Sequence, residues 1–179
     1  MSLRHALLGF LALRPMSGYD LNKAFAGSAA HFWPADQSQI YRTLAQLVVA
    51  GQVEVDVQPQ AGRPDRHEHR ILPAGLVELD TWLASPLDHG PTREPFLARL
   101  FFADRLGPAG VTTLLDEREH AARELLGLLE AINEQTTRHL DGSTPDLATR
   151  LRMATLSNGV AHARAEIDWV IDTRRAVMS

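Results

Sequence analysis

The sequence predicts a mostly α-helical chain in two parts. A helical N-terminal part is interrupted by one β-hairpin, and a C-terminal part is built from long helices. Three observations carry this reading. Apolar residues recur at helical spacing up to Ala50, alternate strictly from Val53, and return to helical spacing after Pro73. "SPLDHGPTREP" (Ser85 to Pro95), with three prolines and a glycine, divides the chain. Beyond it, two long stretches keep a four-three alternation of apolar side chains, the pattern of helix packed on helix.

Each element has its own signal. Leu3 to Leu13 is apolar on most of its surface and is ended by Pro15. In "MSGYDLNKAFAG", Ser17 is the expected N-cap of a second helix, Leu21, Ala24 and Phe25 form one stripe, and Gly27 closes it. A third helix runs from Asp36 or Gln37 to Ala50. It buries Ile40, Leu44, Leu47 and Val48, while its first turn is polar; Gly51 suits the position just past its end. Val53, Val55 and Val57 alternate with Glu54, Asp56 and Gln58 as a half-buried strand, "PQAGRPD" turns, and "RHEHRIL" returns. Pro73 opens a fourth helix with Leu76, Leu79, Trp82 and Leu83 inward.

"FLARLFFADRL" reads as a short helix ended by Gly107, and Pro108 opens a long one. There Val111, Leu115, Ala122, Leu125, Leu129 and Ile132 keep the alternation, broken by Arg118. After "DGSTPD", with Thr144 as cap and Pro145 as first residue, a last helix carries Met153, Leu156, Val160, Ala163, Ile167 and Val170. These stripes exceed what one hairpin is expected to bury, so a second copy of the chain is the expected partner. An Asp at Val160 is then expected to break the dimer and spare the N-terminal part. The expected division is 1–85, a linker over 86–95, and 96–179.

Composition bounds the function. The 179 residues are 45% hydrophobic and 22% charged, ordinary for a folded domain. There is no cysteine, so neither disulfides nor thiolate metal sites hold the fold. The apolar stretch in "MSLRHALLGFLALRP" is too short to span a bilayer and no cleavage site follows it, so a cytoplasmic protein away from the membrane is expected. Net charge is −4, but residues 1–72 hold seven basic and six acidic side chains, leaving −5 to the remainder. A local basic stripe suffices for contact with nucleic acid.

Three helices, a hairpin and a helix, in that order, make a winged helix-turn-helix. The third helix of that fold enters the DNA major groove with its N-terminal residues at the base edges. Gln37, Ser38 and Gln39 then face DNA, and Tyr41 and Arg42 reach phosphate or a base one turn on. Arg63, between Gly62 and Pro64 at the hairpin tip, is placed for a minor groove or the backbone. Winged helices also bind proteins. The alternative is a protein-interaction or effector-sensing module with little DNA affinity. Arg42, Arg63 and preferably Lys23 on one continuous face separate the two readings.

The segments "LLGFLALRPMSGYDLNKAF", "HFWPADQSQIYRTLAQLVVAGQVEV" and "GRPDRHEHRILPAGLVELDTWL" resemble the PadR family of bacterial transcriptional regulators, over roughly Leu7 to Leu83. The remainder is similar to the virulence-activator-type C-terminal domain of longer members. The resemblance implies a dimeric DNA-binding regulator, usually a repressor and sometimes an activator; two reading helices related by a two-fold axis are then expected to recognise a pseudo-palindromic operator. It implies dimerisation through the C-terminal helices with help from the first. Leu7, Leu115, Leu125, Leu129, Leu156, Val160, Ile167 and Val170 are the expected contacts. It also places Gln39, Tyr41 and Arg42 in the reading helix, and Gly62, Arg63 and Pro64 in the wing. Glu54, Asp56, Asp65 and Glu68 make this wing less basic than the family pattern.

Other chemistry finds little support. His67 and His69 share a strand face, but two ligands without a third make no metal site, and solvated or DNA-facing imidazoles are expected there. Neither a Gly-x-Ser-x-Gly nucleophile nor a Gly-rich phosphate loop occurs, so no enzyme and no cofactor are expected. Phe96, Phe101, Phe102 and Trp169 either line a pocket for a flat aromatic effector at a dimer centre or pack as ordinary core. The resemblance permits the first, since several family members sense small aromatic compounds.

Overall fold

The computed structural model describes residues 3–29, 33, 35–59, 62, 65–87, 93–140 and 144–178. It divides into two compact units, Met1–Gly90 and Pro91–Ser179.

In the first unit α1 (Leu3–Leu13), α2 (Gly18–Ala26), α3 (Gln37–Val49) and α4 (Pro73–Ala84) accompany a small sheet. The sheet holds β1 (Met16–Ser17), β2 (Val53–Gln58) and β3 (Arg66–Ile71) in the antiparallel order β1-β3-β2. Leu7, Leu8, Leu11, Leu21, Phe25, Ile40, Leu44, Leu47 and Val53 form one core. Ser17 caps α2, its hydroxyl accepting from the Asp20 amide at 3.1 Å. After α3, Gly51 adopts φ 66°, and the Gln52 and Gly51 amides donate to the Leu47 and Val48 carbonyls. This is the double closure that only a left-handed residue permits without strain.

Three details differ from the sequence reading. β1 is a third strand, because Pro15 leaves Met16 and Ser17 extended beside His69 and Glu68; two residues are too few for periodicity to reveal. The inner face of α4 is Gly75, Leu79 and half-buried Trp82, whereas Leu83 is 64% exposed. Gly75 lets α4 approach the Gln52 carbonyl, which rotates Leu76 and Leu83 outward. Val53 and Val55 point inward as expected, but Val57 is exposed because the ribbon extends past the core.

The second unit holds α5 (Pro95–Phe101), a 3-10 turn at Ala103–Leu106, α6 (Gly107–His139) and α7 (Leu147–Met178). The cap of α7 is Asp146 rather than Thr144: its carboxylate accepts from the Thr149 amide at 2.8 Å. Ion pairs Arg174–Asp116, Arg118–Glu166 and Arg164–Glu130 run α6 and α7 antiparallel.

The apolar stripes are covered differently from expectation. Leu115, Ala122 and Leu129 on α6, and Leu156, Ala163, Ile167 and Val170 on α7, are buried within the single chain. Leu125 and Val160 are half-buried. Two complementary heptad stripes on antiparallel helices can serve as each other's seam. Leu115, Leu129, Leu156, Ile167 and Val170 thus already pack within one chain, and Leu7 lies at the centre of the winged-helix core.

Candidate nucleic-acid interface

The start of α3 presents a polar turn on a helix with one buried apolar face. Gln37, Ser38, Gln39, Tyr41 and Arg42 are exposed, while Ile40, Leu44 and Leu47 of the same helix are buried. Asp36 caps the helix in a reciprocal box. The Gln39 amide donates to Asp36 Oδ1 at 2.7 Å, and Gln39 Oε1 accepts from the Asp36 amide at 3.2 Å. The carbonyl end of the Gln39 side chain is thus engaged, leaving its NH2 group as the outward donor.

Tyr41 has a structural partner that the sequence did not reveal. A Cβ built on Gly18 would lie 2.5 Å from Tyr41 Cε1 and 2.9 Å from Cζ. The missing side chain at Gly18 lets the Tyr41 ring approach the start of α2. "SGYD" and "IYR" are two halves of one helix–helix contact, and Tyr41 remains 43% exposed beyond it. Lys23, in the last turn of α2, is also exposed.

The wing pairs Val53 with Ile71 at its base and Gln58 with Arg66 at its end. Gly62 adopts φ 72° in the connecting turn; Arg63 and Pro64 lie outside the described residues. Arg66 Nη2 reaches Asp20 Oδ2 at 2.9 Å and Glu68 at 3.8 Å. Ser17 Oγ donates to the same Asp20 oxygen at 2.7 Å. That hydrogen bond, with Arg66 and Arg14 nearby, holds the Asp20 carboxyl below the usual carboxylate range. Arg66 and Asp20 went unread in the sequence, where the only available signal was the Ser17-x-x-Asp20 capping pattern.

The two wing histidines differ. His67 is exposed; His69 is half-buried opposite Val55 rather than solvated, and burial pushes its pKa down. Among the described residues, no group of three His, Asp or Glu side chains is placed to hold a metal ion.

In the second unit the four candidate aromatics form two separate pairs. Phe96 and Trp169 meet edge to face at 6.1 Å, with the Arg118 guanidinium 4.9 Å over Phe96. Arg118, the break in the α6 stripe, donates to Glu166 at 2.6 Å and lies 3.7 Å from Glu94. Phe101 and Phe102 meet each other at 5.0 Å and are 80% and 66% exposed.

Comparison with known proteins fits this geometry. Residues 7–81 match the model of the transcriptional regulator PadR-like family, and residues 92–177 match that of the virulence activator alpha C-terminal domain. The chain is 32% identical to "Probable transcriptional regulator Rv1176c" of Mycobacterium tuberculosis, over 99% of its own length and 98% of the relative's. The chain belongs to the PadR-like family of transcriptional regulators. The negative transcriptional regulator PadR of Bacillus subtilis is 24% identical over 94% of this chain and 93% of its own. Its crystal structure in complex with operator DNA superposes with a TM-score of 0.81 at 23% identity, covering 98% of each chain. In complex with p-coumaric acid it gives 0.74 at 22% identity, covering 99% of this chain and 96% of its own. The Vibrio cholerae virulence activator AphA gives 0.74 at 26% identity, covering 98% of each. The winged-helix fold and the family resemblance read from the sequence both hold. Among the described residues of this PadR-like regulator, no helix is long and apolar enough to cross a membrane.

Proposed function

We propose that this chain is a cytoplasmic, dimeric repressor that reads a pseudo-palindromic operator with α3 and is released by a small aromatic effector. The observation that supports operator reading is the split character of α3: an exposed polar first turn on a helix whose other face is core. Gln37, Ser38 and Gln39 meet base edges; Tyr41, Arg42 and Lys23 approach the backbone; Gly62, Arg63 and Pro64 carry the wing tip. Repression and release draw on the B. subtilis relative, which is named a negative regulator and occurs with operator DNA and with p-coumaric acid. The working division remains 1–85 for DNA, 86–95 as linker and 96–179 for dimerisation.

The dimer surface is reassigned. With the α6–α7 stripes covered in one chain, the partner's surface is the outward apolar set Leu97, Phe101, Phe102 and Leu106. The contact of the Phe101 and Phe102 rings and the exposure of all four side chains support that choice. The effector site narrows to Phe96 and Trp169, beside an Arg118 already paired with Glu166.

One comparison separates base reading from backbone contact. Gln39→Ala should cost about 1–3 kcal/mol of specific binding and leave non-specific binding nearly untouched, because a side-chain amide donor reads a base acceptor. Arg63→Ala should weaken both kinds of binding and lower the salt slope by about one, as for one lost phosphate contact. Equal losses on both DNAs for Gln39→Ala would reduce that residue to its capping role. An unchanged slope and affinity for Arg63→Ala would remove the wing from the interface.

A further inference from the structure

The wing extends beyond its backing. β1 supports β3 only at His69 and Glu68. The distal ribbon, Val57–Gln58 paired with Arg66–His67, continues as two strands. Arg66 is the first residue of β3, opposite Gln58 at the far end of the ladder. Its Nη2 donates to Asp20 Oδ2, in the first turn of α2. That carboxylate is fixed from the other side, since Ser17 Oγ donates to it at 2.7 Å and accepts the Asp20 amide at 3.1 Å. Among the described residues, no other ion pair or side-chain hydrogen bond runs from Asp56–Gln58 or Arg66–His67 to a helix.

We infer that Ser17, Asp20 and Arg66 form a clamp that sets the angle of the wing against the helix-turn-helix, making Asp20 and Arg66 positioning residues for operator binding. The inference rests on the reading that the wing touches DNA. An exposed ion pair contributes little to global stability. What it changes is the freedom of a ribbon that must otherwise be ordered when DNA binds. The clamp also accounts for an acid in the first turn of α2, beside the wing. A free carboxylate there would only repel phosphate, whereas one that holds an arginine in place contributes through geometry.

The sign of one substitution decides the matter. On simple Coulomb grounds, Asp20→Asn removes a negative charge and should tighten DNA binding. On the clamp reading it should weaken binding roughly fivefold, the cost of ordering about one extra side chain or a loosened ribbon at the interface. The salt slope should stay unchanged, because no phosphate contact is lost. The probe is the duplex that the wild-type full-length chain enriches from a random pool, and a thermal melt of each variant checks folding. In an Arg66→Gln background the same Asp20→Asn change should no longer weaken binding, because its partner is already gone. Equal or tighter binding by Asp20→Asn, with a loss in Arg63→Ala, overturns the clamp and keeps the wing. An equal Asp20→Asn loss in both backgrounds also overturns the clamp. No loss in either Asp20→Asn or Arg63→Ala overturns clamp and wing together.

Discussion

Leu129→Asp should unfold the C-terminal hairpin. Leu129 is fully buried in the α6 seam, and a lone carboxylate there costs several kcal/mol or is forced to take up a proton. Circular dichroism should lose the signal of α6 and α7, which span 33 and 32 residues, while the winged helix melts separately. Sedimentation should then show monomers, and operator binding should disappear. Phe101→Asp is the contrasting case. Phe101 is 80% exposed, so the hairpin should keep its helicity and only the dimer should be lost. Val160→Asp, the change the heptad pattern alone suggests for breaking the dimer, now belongs with Leu129→Asp, because Val160 is half-buried on the hairpin's own stripe. If Leu129→Asp kept full helicity and lost only the dimer, the seam would lie between chains after all.

Gly75→Ala should destabilise the winged helix by about 1–3 kcal/mol, the usual cost of forcing a methyl into a packed site. The new Cβ would collide with the Gln52 backbone carbonyl and lie 2.8 Å from Ile71 Cγ1 and 3.2 Å from Leu8 Cδ2. That carbonyl also accepts the Leu72 amide at 2.9 Å, so the backbone cannot retreat without losing the hydrogen bond that starts α4. Chemical denaturation should show a lower midpoint for the first unit and an unchanged one for the second. A Gly75→Ala chain as stable as wild type would mean that α4 is not seated against the β2–β3 base as described.

The elements most legible in the sequence are those that repeat. The α3 stripe of Ile40, Leu44 and Leu47, and the switch to alternation at Val53, mark their elements because burial recurs with the backbone period. Local capping was half legible: Ser17 and Gly51 act as their residue types suggest, whereas Asp146 displaced Thr144. The pairing of stripes was not legible. A heptad pattern states that a helix has a partner, not whether the partner belongs to the same chain. Contacts between distant segments were equally hidden. Gly18 beneath Tyr41, Gly75 against Gln52 and Asp20 with Arg66 join residues whose spacing carries no period. Within the candidate interface, the polar first turn of α3 was visible from residue order, because exposure on one side of a buried helix is itself a periodic signal.

The proposed function requires that two copies of this chain read DNA together through α3. The direct measurement is selection of bound duplexes from a random pool by the full-length protein, followed by the mass of the complex in solution. The expected result is an enriched inverted repeat with half-sites centred about one helical turn apart, roughly 10 base pairs, or a multiple of that, with two chains on each duplex. One chain per duplex, or a pool that stays random at salt low enough for non-specific binding, would contradict it.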